Sequence, residues 1–241
     1  MIASERRRMI KLRNVILISL LLFGKVAYGQ ALLIILFGDK LSTEKFQMGI
    51  NFAVTSSNLS GLEETKLRTS WAFGALGEIK LNDTWSLQPE LTIKTPGGAR
   101  VESELNTGDS SIDSVFSSAT VSRESSQISL PVYLKFKMNR FGIAAGPQVG
   151  YLTKAKDRFE GTTIKGTDLT VERDAKENLN RWDAGITGLV EYYFAPEKKM
   201  KTLRLGLKYY YGLTDILKNN KGDAVTNSVF LLTLGIPVGG G

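Results

Sequence analysis

Residues 127–138 read QISLPVYLKFKM and residues 141–152 read FGIAAGPQVGYL, with only Asn139 and Arg140 between them. In the first run Ile128, Leu130, Val132, Leu134, Phe136 and Met138 share one face of an extended chain. Gln127, Ser129, Pro131, Tyr133, Lys135 and Lys137 share the other. Side chains alternate across a strand, so a period of two marks a strand with one apolar and one polar face. In the second run Phe141, Ile143, Ala145, Pro147, Val149 and Tyr151 oppose mainly glycine, plus Gln148. Two such runs joined by two residues form an antiparallel hairpin.

The alternation recurs on both sides of this hairpin. It is found in 46–54, 71–80, 84–94, 182–194, 203–211 and 228–238. The pattern in 84–94 is sharp, with Trp85, Leu87, Pro89, Leu91 and Ile93 against Ser86, Gln88, Glu90, Thr92 and Lys94. Each run has about the nine to eleven residues of a tilted membrane-crossing strand. The connections 81–83, 139–140 and 195–202 are short; 55–70, 95–126, 153–181 and 212–227 are long and rich in Ser, Thr, Asn, Asp, Gly and Lys. Short turns on one rim and long loops on the other describe an up-and-down arrangement. The expected fold is all-β: an eight-stranded antiparallel up-and-down transmembrane β-barrel over residues 46–238, with both chain ends on the periplasmic, short-turn side.

Composition narrows the chemistry. The 241 residues include no cysteine and no histidine, and 31 Lys+Arg against 24 Asp+Glu give a formal charge of +7. Disulfides, thiolate metal sites, cysteine nucleophiles, His-ligated zinc and Ser-His-Asp triads are thereby excluded. The histidine-dependent routes of barrel lipases, deacylases, acyltransferases and proteases are closed too. No cofactor and no metal site is expected. Five of the seven excess positive charges lie in residues 1–29. A nucleic-acid binder keeps its basic surface in the folded domain, so nucleic acid is not an expected partner.

Residues 1–29 read as a secretory signal peptide. Basic Arg6 to Arg13 precede the apolar run Val15–Phe23, and Ala27 and Gly29 form a small-x-small cleavage pattern before Gln30. The alternative is an N-terminal anchor, for which the run is short of the roughly 20 apolar residues that span a bilayer. Residues 30–45 include a second apolar run, Ala31–Phe37, and have no assigned role beyond packing at one mouth of the fold. No other stretch approaches the length of a transmembrane helix. A membrane-embedded mature chain must therefore cross as a closed barrel, the other structure that satisfies its backbone in lipid.

Alternation also fits a soluble barrel with its apolar face inward. Two patterns favour the membrane. The polar face carries small residues and opposite charges, as a narrow lumen filled by side chains requires; the expected lumen network is Glu78, Glu90, Lys94, Lys135, Asp183, Glu191, Arg204 and Lys208. The apolar-face aromatics gather at strand ends. Trp71, Tyr151, Trp182, Tyr209 and Tyr211 fall at the long-loop rim, and Phe46, Trp85, Phe136, Phe141, Tyr192 and Phe194 at the short-turn rim. Two belts of rings are what lipid–water boundaries select. The carboxylates Glu78, Glu90, Asp183 and Glu191 have a second reading as an acid/base pair for sugar chemistry. A filled lumen offers no cleft for it, and the salt-bridge network is the plainer account. Pro89, Pro131 and Pro147 lie inside strands, where a missing N–H is tolerated at bulges, so bulges are expected there. Bulky Tyr133 and Lys135 are expected to fill the space left by Gly142, Gly146 and Gly150.

The order of short motifs is similar to that of a known family. GINF at 49–52, SLQPEL at 86–91, ISLPVYLK at 128–135, AGPQVGY at 145–151, WDAGI at 182–186 and LGLKYYYGL at 205–213 carry the likeness. The chain resembles the Bacteroidetes-type outer-membrane β-barrel family of porin-like and PorT-like proteins. The resemblance implies a barrel in the bacterial outer membrane and no defined reaction. Many such barrels finish on an aromatic residue, whereas this sequence reads IPVGGG at 236–241. The leading expectation is a structural or surface-binding barrel, not an open pore. Its partners would be outer-membrane lipid and lipopolysaccharide, with the barrel-assembly machinery during insertion. The resemblance also allows a PorT-like accessory of a secretion or gliding apparatus, with an envelope protein partner. A soluble periplasmic barrel holding a small apolar ligand is the third possibility. A surface hairpin over 112–121 is expected to prolong the third and fourth strands and to offer an edge for strand addition.

Overall fold

The computed structural model describes Thr43 and residues 45–62, 65–101, 110–195 and 202–238. The expected signal peptide, residues 1–29, lies outside them, as does all of 30–45 except Thr43 and Lys45. Ten strands follow in order: β1 (Phe46–Ser60), β2 (Thr65–Lys66), β3 (Arg68–Lys80), β4 (Trp85–Val101), β5 (Phe116–Met138), β6 (Phe141–Thr163), β7 (Asp168–Asp174), β8 (Trp182–Tyr193), β9 (Arg204–Gly212) and β10 (Thr226–Val238). One helical turn, Ser110–Asp113, precedes β5.

Eight of these strands form a closed ring. β1, β3, β4, β5, β6, β8, β9 and β10 each pair antiparallel with the next, and β10 pairs back onto β1 from Met48↔Val238 to Ser60↔Thr226. Closure removes every edge within the ring, as lipid demands. The ring is staggered. Stepping across paired positions from Phe46 leads through Ile79, Leu87, Leu134, Ala145, Gly188, Tyr209 and Phe230 back to β1 at Ser56, ten residues on. With eight strands, a rise of roughly 3.3 Å and a spacing of roughly 4.8 Å, that stagger tilts the strands by about 40°.

Burial is the inverse of a soluble protein's. Lys135 is 0% exposed and Arg204 1%, whereas Ile143, Leu207 and Leu232 are 58%, 56% and 54% exposed. The apolar face points outward on every ring strand, so the soluble barrel with an apolar centre is not the fold of this chain.

The prolines depart from expectation, because no register shift occurs at any of them. Leu76↔Glu90 and Ile79↔Leu87 keep one register across Pro89, Pro131 stays opposite Gln148, and Pro147 stays opposite Ile186. Pairing instead lapses for two residues that include the proline: Gln88 and Pro89 against β3, Leu130 and Pro131 against β4, and Gly146 and Pro147 against Val132 and Tyr133 of β5. A proline removes a donor and adds no residue, so the strand gives up a bond and keeps its register. The bulges lie elsewhere, at Phe73/Gly74, Thr92/Thr95, Ser126/Gln127 and Phe116/Ser118. The middle two mark the level at which β4, β5 and β6 continue above the ring.

The prolongation of β4 and β5 past the rim is as expected, whereas the matching extension of β6 and the added strand β7 are the largest departure from the sequence reading. The stretches 95–126 and 153–181 do not form loops throughout. β4 and β5 remain paired up to Val101↔Val121, β5 and β6 up to Phe116↔Thr163, and β7 adds to β6 over Lys156↔Asp174 to Thr162↔Asp168. A sheet of β2, β4, β5, β6 and β7 thus projects past the long-loop rim. It has its own core of Phe116, Val121 and Phe159, with Ile112, Leu169 and Val171 against it.

Candidate functional site

The lumen is filled by ions and their partners. At the short-turn end, Glu78 sits near the end of β3, Lys135 and Lys137 near the end of β5, Glu191 near the end of β8 and Arg204 at the start of β9. Arg204 Nη1 lies 2.7 Å from Glu78 Oε2, and Lys137 pairs with Glu78 Oε1. Ser86 Oγ donates to Glu78 at 2.9 Å. Lys135 donates to Glu191 and to Gln88 Oε1 and lies 3.9 Å from Glu78. The Tyr193 hydroxyl donates to Glu191 at 3.2 Å, and its ring faces Lys135, Lys137 and Arg204 at 5.8, 5.4 and 5.8 Å.

A second layer lies nearer the middle. Lys208 Nζ is 2.5 Å from Glu90 Oε2 and 5.3 Å from the centre of the Tyr133 ring. Gln88 Nε2 donates to Glu90 Oε1 at 2.7 Å and so links the two layers. Charges inside a poorly solvated tube persist only when paired and hydrogen-bonded. Glu78, Glu90, Asp183 and Glu191 against Lys135, Lys137, Arg204 and Lys208 make the lumen neutral overall.

Six of the eight residues expected in the network meet there: Glu78, Glu90, Lys135, Glu191, Arg204 and Lys208. Asp183 faces the lumen but meets no cation. It stands at the loop end of β8 and takes Tyr210 Oη at 2.8 Å, Asn227 Nδ2 at 2.8 Å, Gln127 Nε2 at 3.1 Å and Thr214 Oγ1 at 3.1 Å. Lys94 is not in the lumen at all. The irregularity between Thr92 and Thr95 puts Lys94 opposite outward-facing Phe73, and its Nζ lies 3.7 Å above the Trp71 ring. Alternation cannot follow a face across an extra residue. Gln88, Tyr133, Lys137 and Tyr193 complete the network, Tyr193 on the same face of β8 as Asp183 and Glu191 and the other three on the polar faces of their runs. Of the fillers, Lys135 and Tyr193 occupy the space beside Gly142, and Gln127 the space beside Gly150.

Lys94→Met is accordingly expected to cost at most about 1 kcal/mol, the worth of an exposed cation–π contact. Urea midpoints of refolded protein in micelles read this, and a loss matching that of Lys135→Met would return Lys94 to the lumen.

The rings expected at the boundaries all lie on the outer surface in two groups. Near the turns, Trp85 pairs with Phe136 at 5.1 Å, and Tyr192 with Phe141 and Phe194 at 5.5 and 5.4 Å. Near the loops, Tyr151 pairs with Trp182 at 5.1 Å, Trp71 with Phe73 at 6.1 Å and Tyr209 with Phe230 at 4.4 Å; Tyr211 stands on the same outward face of β9.

The loop-side mouth is covered. The segment 213–225 is stitched to 178–180 through Asn180 N to Ile216 O at 2.8 Å and Lys218 N to Asn178 O at 2.9 Å. Asp215 fixes its shape by accepting the amides of Leu217 and Val225 at 2.9 and 3.2 Å. Ile216 and Val225 pack on Leu59 of β1 and Ala99 of β4. Leu179 and Ala175 pack on Leu152 and Ala155 of β6, and Leu217 touches both groups. The projecting sheet carries paired charges. Arg123 grips Asp157 through Nε at 2.8 Å and Nη2 at 3.0 Å, and Arg173 reaches the same carboxylate at 3.3 Å. The hydrogen bond to Asp157 raises the Arg123 pKa further, against the opposing effect of burial. Among the described residues no group of His, Cys, Asp and Glu is placed to hold a metal ion.

The chain is similar to several solved outer-membrane proteins. Ail, the attachment invasion locus protein of Yersinia pestis, solved with the heparin analogue sucrose octasulfate, is 14% identical over 80% of this chain and 97% of its own, with a TM-score of 0.41. Neisserial surface protein A is 12% identical over 80% and 96%, with a TM-score of 0.39. The outer membrane protein OprG of Pseudomonas aeruginosa is 12% identical over 81% and 96%, with a TM-score of 0.35. No curated protein matches the chain. Residues 38–218 match the family described as the outer membrane protein beta-barrel domain. With that match over most of its length, and with an apolar outer surface around a neutral ionic interior, the chain belongs to the outer membrane protein beta-barrel domain family.

Proposed function

We propose that this outer-membrane protein is a closed, non-conducting barrel that holds a binding sheet above the cell surface. The carrying observation is the sheet of β2, β4, β5, β6 and β7, which continues past the loop-side belt with its own apolar core. A membrane strand that only had to return would end at the belt. The ring then serves as an anchor, with the long-loop side extracellular and the leader removed near Gly29. The ion-filled lumen and the segment across its mouth support the absence of a pore. Lys94 beside Trp71, and Arg181 with its Nη1 3.5 Å from the Tyr151 hydroxyl, lie where lipopolysaccharide phosphates would meet the loop-side rim. The accessory reading needs a partner surface on the turn side. The described turns there are short and tied to themselves, as Lys80 to Asp83 at 2.5 Å and Asn82 to the Trp85 amide at 2.7 Å illustrate. The loop side is therefore the better-supported binding face.

Purified protein in a planar bilayer is expected to pass no stepwise current. Sustained uniform conductance steps would make it a pore and overturn this reading.

A further inference from the structure

We propose that the outer edge of β7 is a strand-addition site for an extended peptide that alternates apolar and basic residues. The inference rests on the reading of the projecting sheet as extracellular and names what that sheet takes.

β7 pairs with β6 alone, whereas every other described strand longer than two residues has a neighbour on each side. An edge strand turns alternate backbone N–H and C=O groups away from its partner, and these groups template a further strand. The two faces of β7 say which strand fits. Leu169 and Val171 are half-buried on one face, against the cluster of Phe116, Val121 and Phe159. An added strand with apolar residues on that face would extend the cluster.

The other face carries Asp168, Thr170, Glu172 and Asp174, all exposed. On this face the charged cross-strand pairs are of opposite sign, and Glu160 of β6 stands opposite uncharged Thr170. Glu124 of β5 stands opposite Lys156 of β6, which stands opposite Asp174 of β7. Arg158 of β6 likewise stands opposite Glu172, and Lys156 Nζ lies 2.5 Å from Glu172. Opposite charges across strands stabilise a sheet and like charges weaken it. The next column after an acidic one is therefore basic. A second copy of this chain is the wrong occupant. Antiparallel pairing of two β7 strands about Val171 would set Asp168 against Asp174.

The test uses full-length protein folded in detergent micelles and a short fluorescent peptide alternating Val and Lys. The controls are the same peptide with alternate backbone amides N-methylated, and a peptide alternating Val and Glu. The Val/Lys peptide is expected to bind at least about tenfold more tightly than either control. In D168K/E172K/D174K the preference is expected to invert in favour of Val/Glu. Heat-modifiable gel migration checks that this variant is folded; Glu172→Lys alone replaces it if it is not. Equal binding of the N-methylated peptide, or unchanged preference in a folded charge variant, would overturn the proposal. So would disulfide cross-linking of two Thr170→Cys chains across β7.

The absence of native cysteine lets Thr170→Cys also report sidedness with a membrane-impermeant maleimide. Labelling of intact cells upholds the extracellular placement, and a failed peptide test then counts against the edge site alone. Labelling only after lysis overturns both.

Discussion

Glu90→Leu is expected to lower the unfolding free energy of the barrel by about 3–5 kcal/mol, the usual cost of stranding one member of a buried ion pair. Lys208 is 3% exposed, and its ammonium lies 2.5 Å from the Glu90 carboxylate. Tyr133 meets that ammonium with its ring face at 5.3 Å and with its neutral hydroxyl, neither of which is a counter-charge, and the other lumen carboxylates are engaged by Lys135, Lys137 and Arg204 or by neutral donors. With Glu90 removed, a desolvated cation has no counter-charge. Lys208→Met added to Glu90→Leu is expected to recover most of the loss, because an apolar pair of similar volume carries no desolvation penalty. Gln88 keeps its Oε1 contacts to Lys135 and Arg204, but its Nε2 loses the Glu90 acceptor, and that stranded amide is the part of the loss the double variant does not recover. Urea titration from lipid vesicles measures the cycle. The three tryptophans, Trp71, Trp85 and Trp182, all lie on the outer surface and report loss of lipid contact. A single variant within about 1 kcal/mol of the parent would place the Glu90 carboxylate in water, in the range of exposed pairs.

The same pair shows what was legible in the sequence. Alternation assigns a residue to a face, and lipid against lumen makes that assignment stringent, because a one-residue slip would put every ion into acyl chains. Glu90 and Lys208 could thus be placed inside from their own strands alone. Alternation says nothing of height along the barrel. Asp183 was correctly faced, yet it stands a layer away from every cation and is held by Tyr210, Asn227, Gln127 and Thr214. Face assignment also fails where a strand gains a residue. Nothing in the sequence around Ile93, Lys94 and Thr95 marks the bulge that turns Lys94 outward, whereas the prolines that do stand out leave the register intact.

Beyond the expected prolongation of β4 and β5, the projecting sheet was hidden for a different reason. Above the belt neither face meets lipid, so the period-two contrast disappears. The upper part of β5 reads FSSATVSRESS over 116–126, with hydroxyls on both faces, and β7 has only Leu169 and Val171 as apolar residues. What holds these strands is ladder pairing, a small core and cross-strand charge, and hydropathy registers none of these strongly. The expected edge over 112–121 was sought in the right region. Over 116–120 β5 does pair with β6 alone, and from Val121 onward it has partners on both sides; the strand longer than two residues that is one-sided along its whole length is β7, inside what reads as a polar loop.

Gly146→Ala is expected to destabilise the barrel by about 3 kcal/mol, the upper end of overpacking costs, and Gly188→Ala to change it by no more than about 0.5 kcal/mol. Both glycines lie within membrane strands, and a strand-interior alanine is ordinarily no worse than glycine. The difference is what each methyl would meet. At Gly146 it would fall 1.9 Å from the carbonyl oxygen of Val132, a backbone atom fixed by the neighbouring strand. At Gly188 nothing lies within 4 Å, and the methyl enters lipid. The crowding at Gly146 coincides with the lapse in pairing where Val132 and Tyr133 face Gly146 and Pro147. There β5 approaches β6 more closely than a side chain on Gly146 allows. Relief would require the two strands to part, and in a closed ring that motion must be taken up by the adjoining pairs. Urea midpoints of the two variants decide the matter. Equal stability would show that β5 and β6 can separate at this level at no cost, and that the glycine is there for some reason other than the carbonyl of Val132.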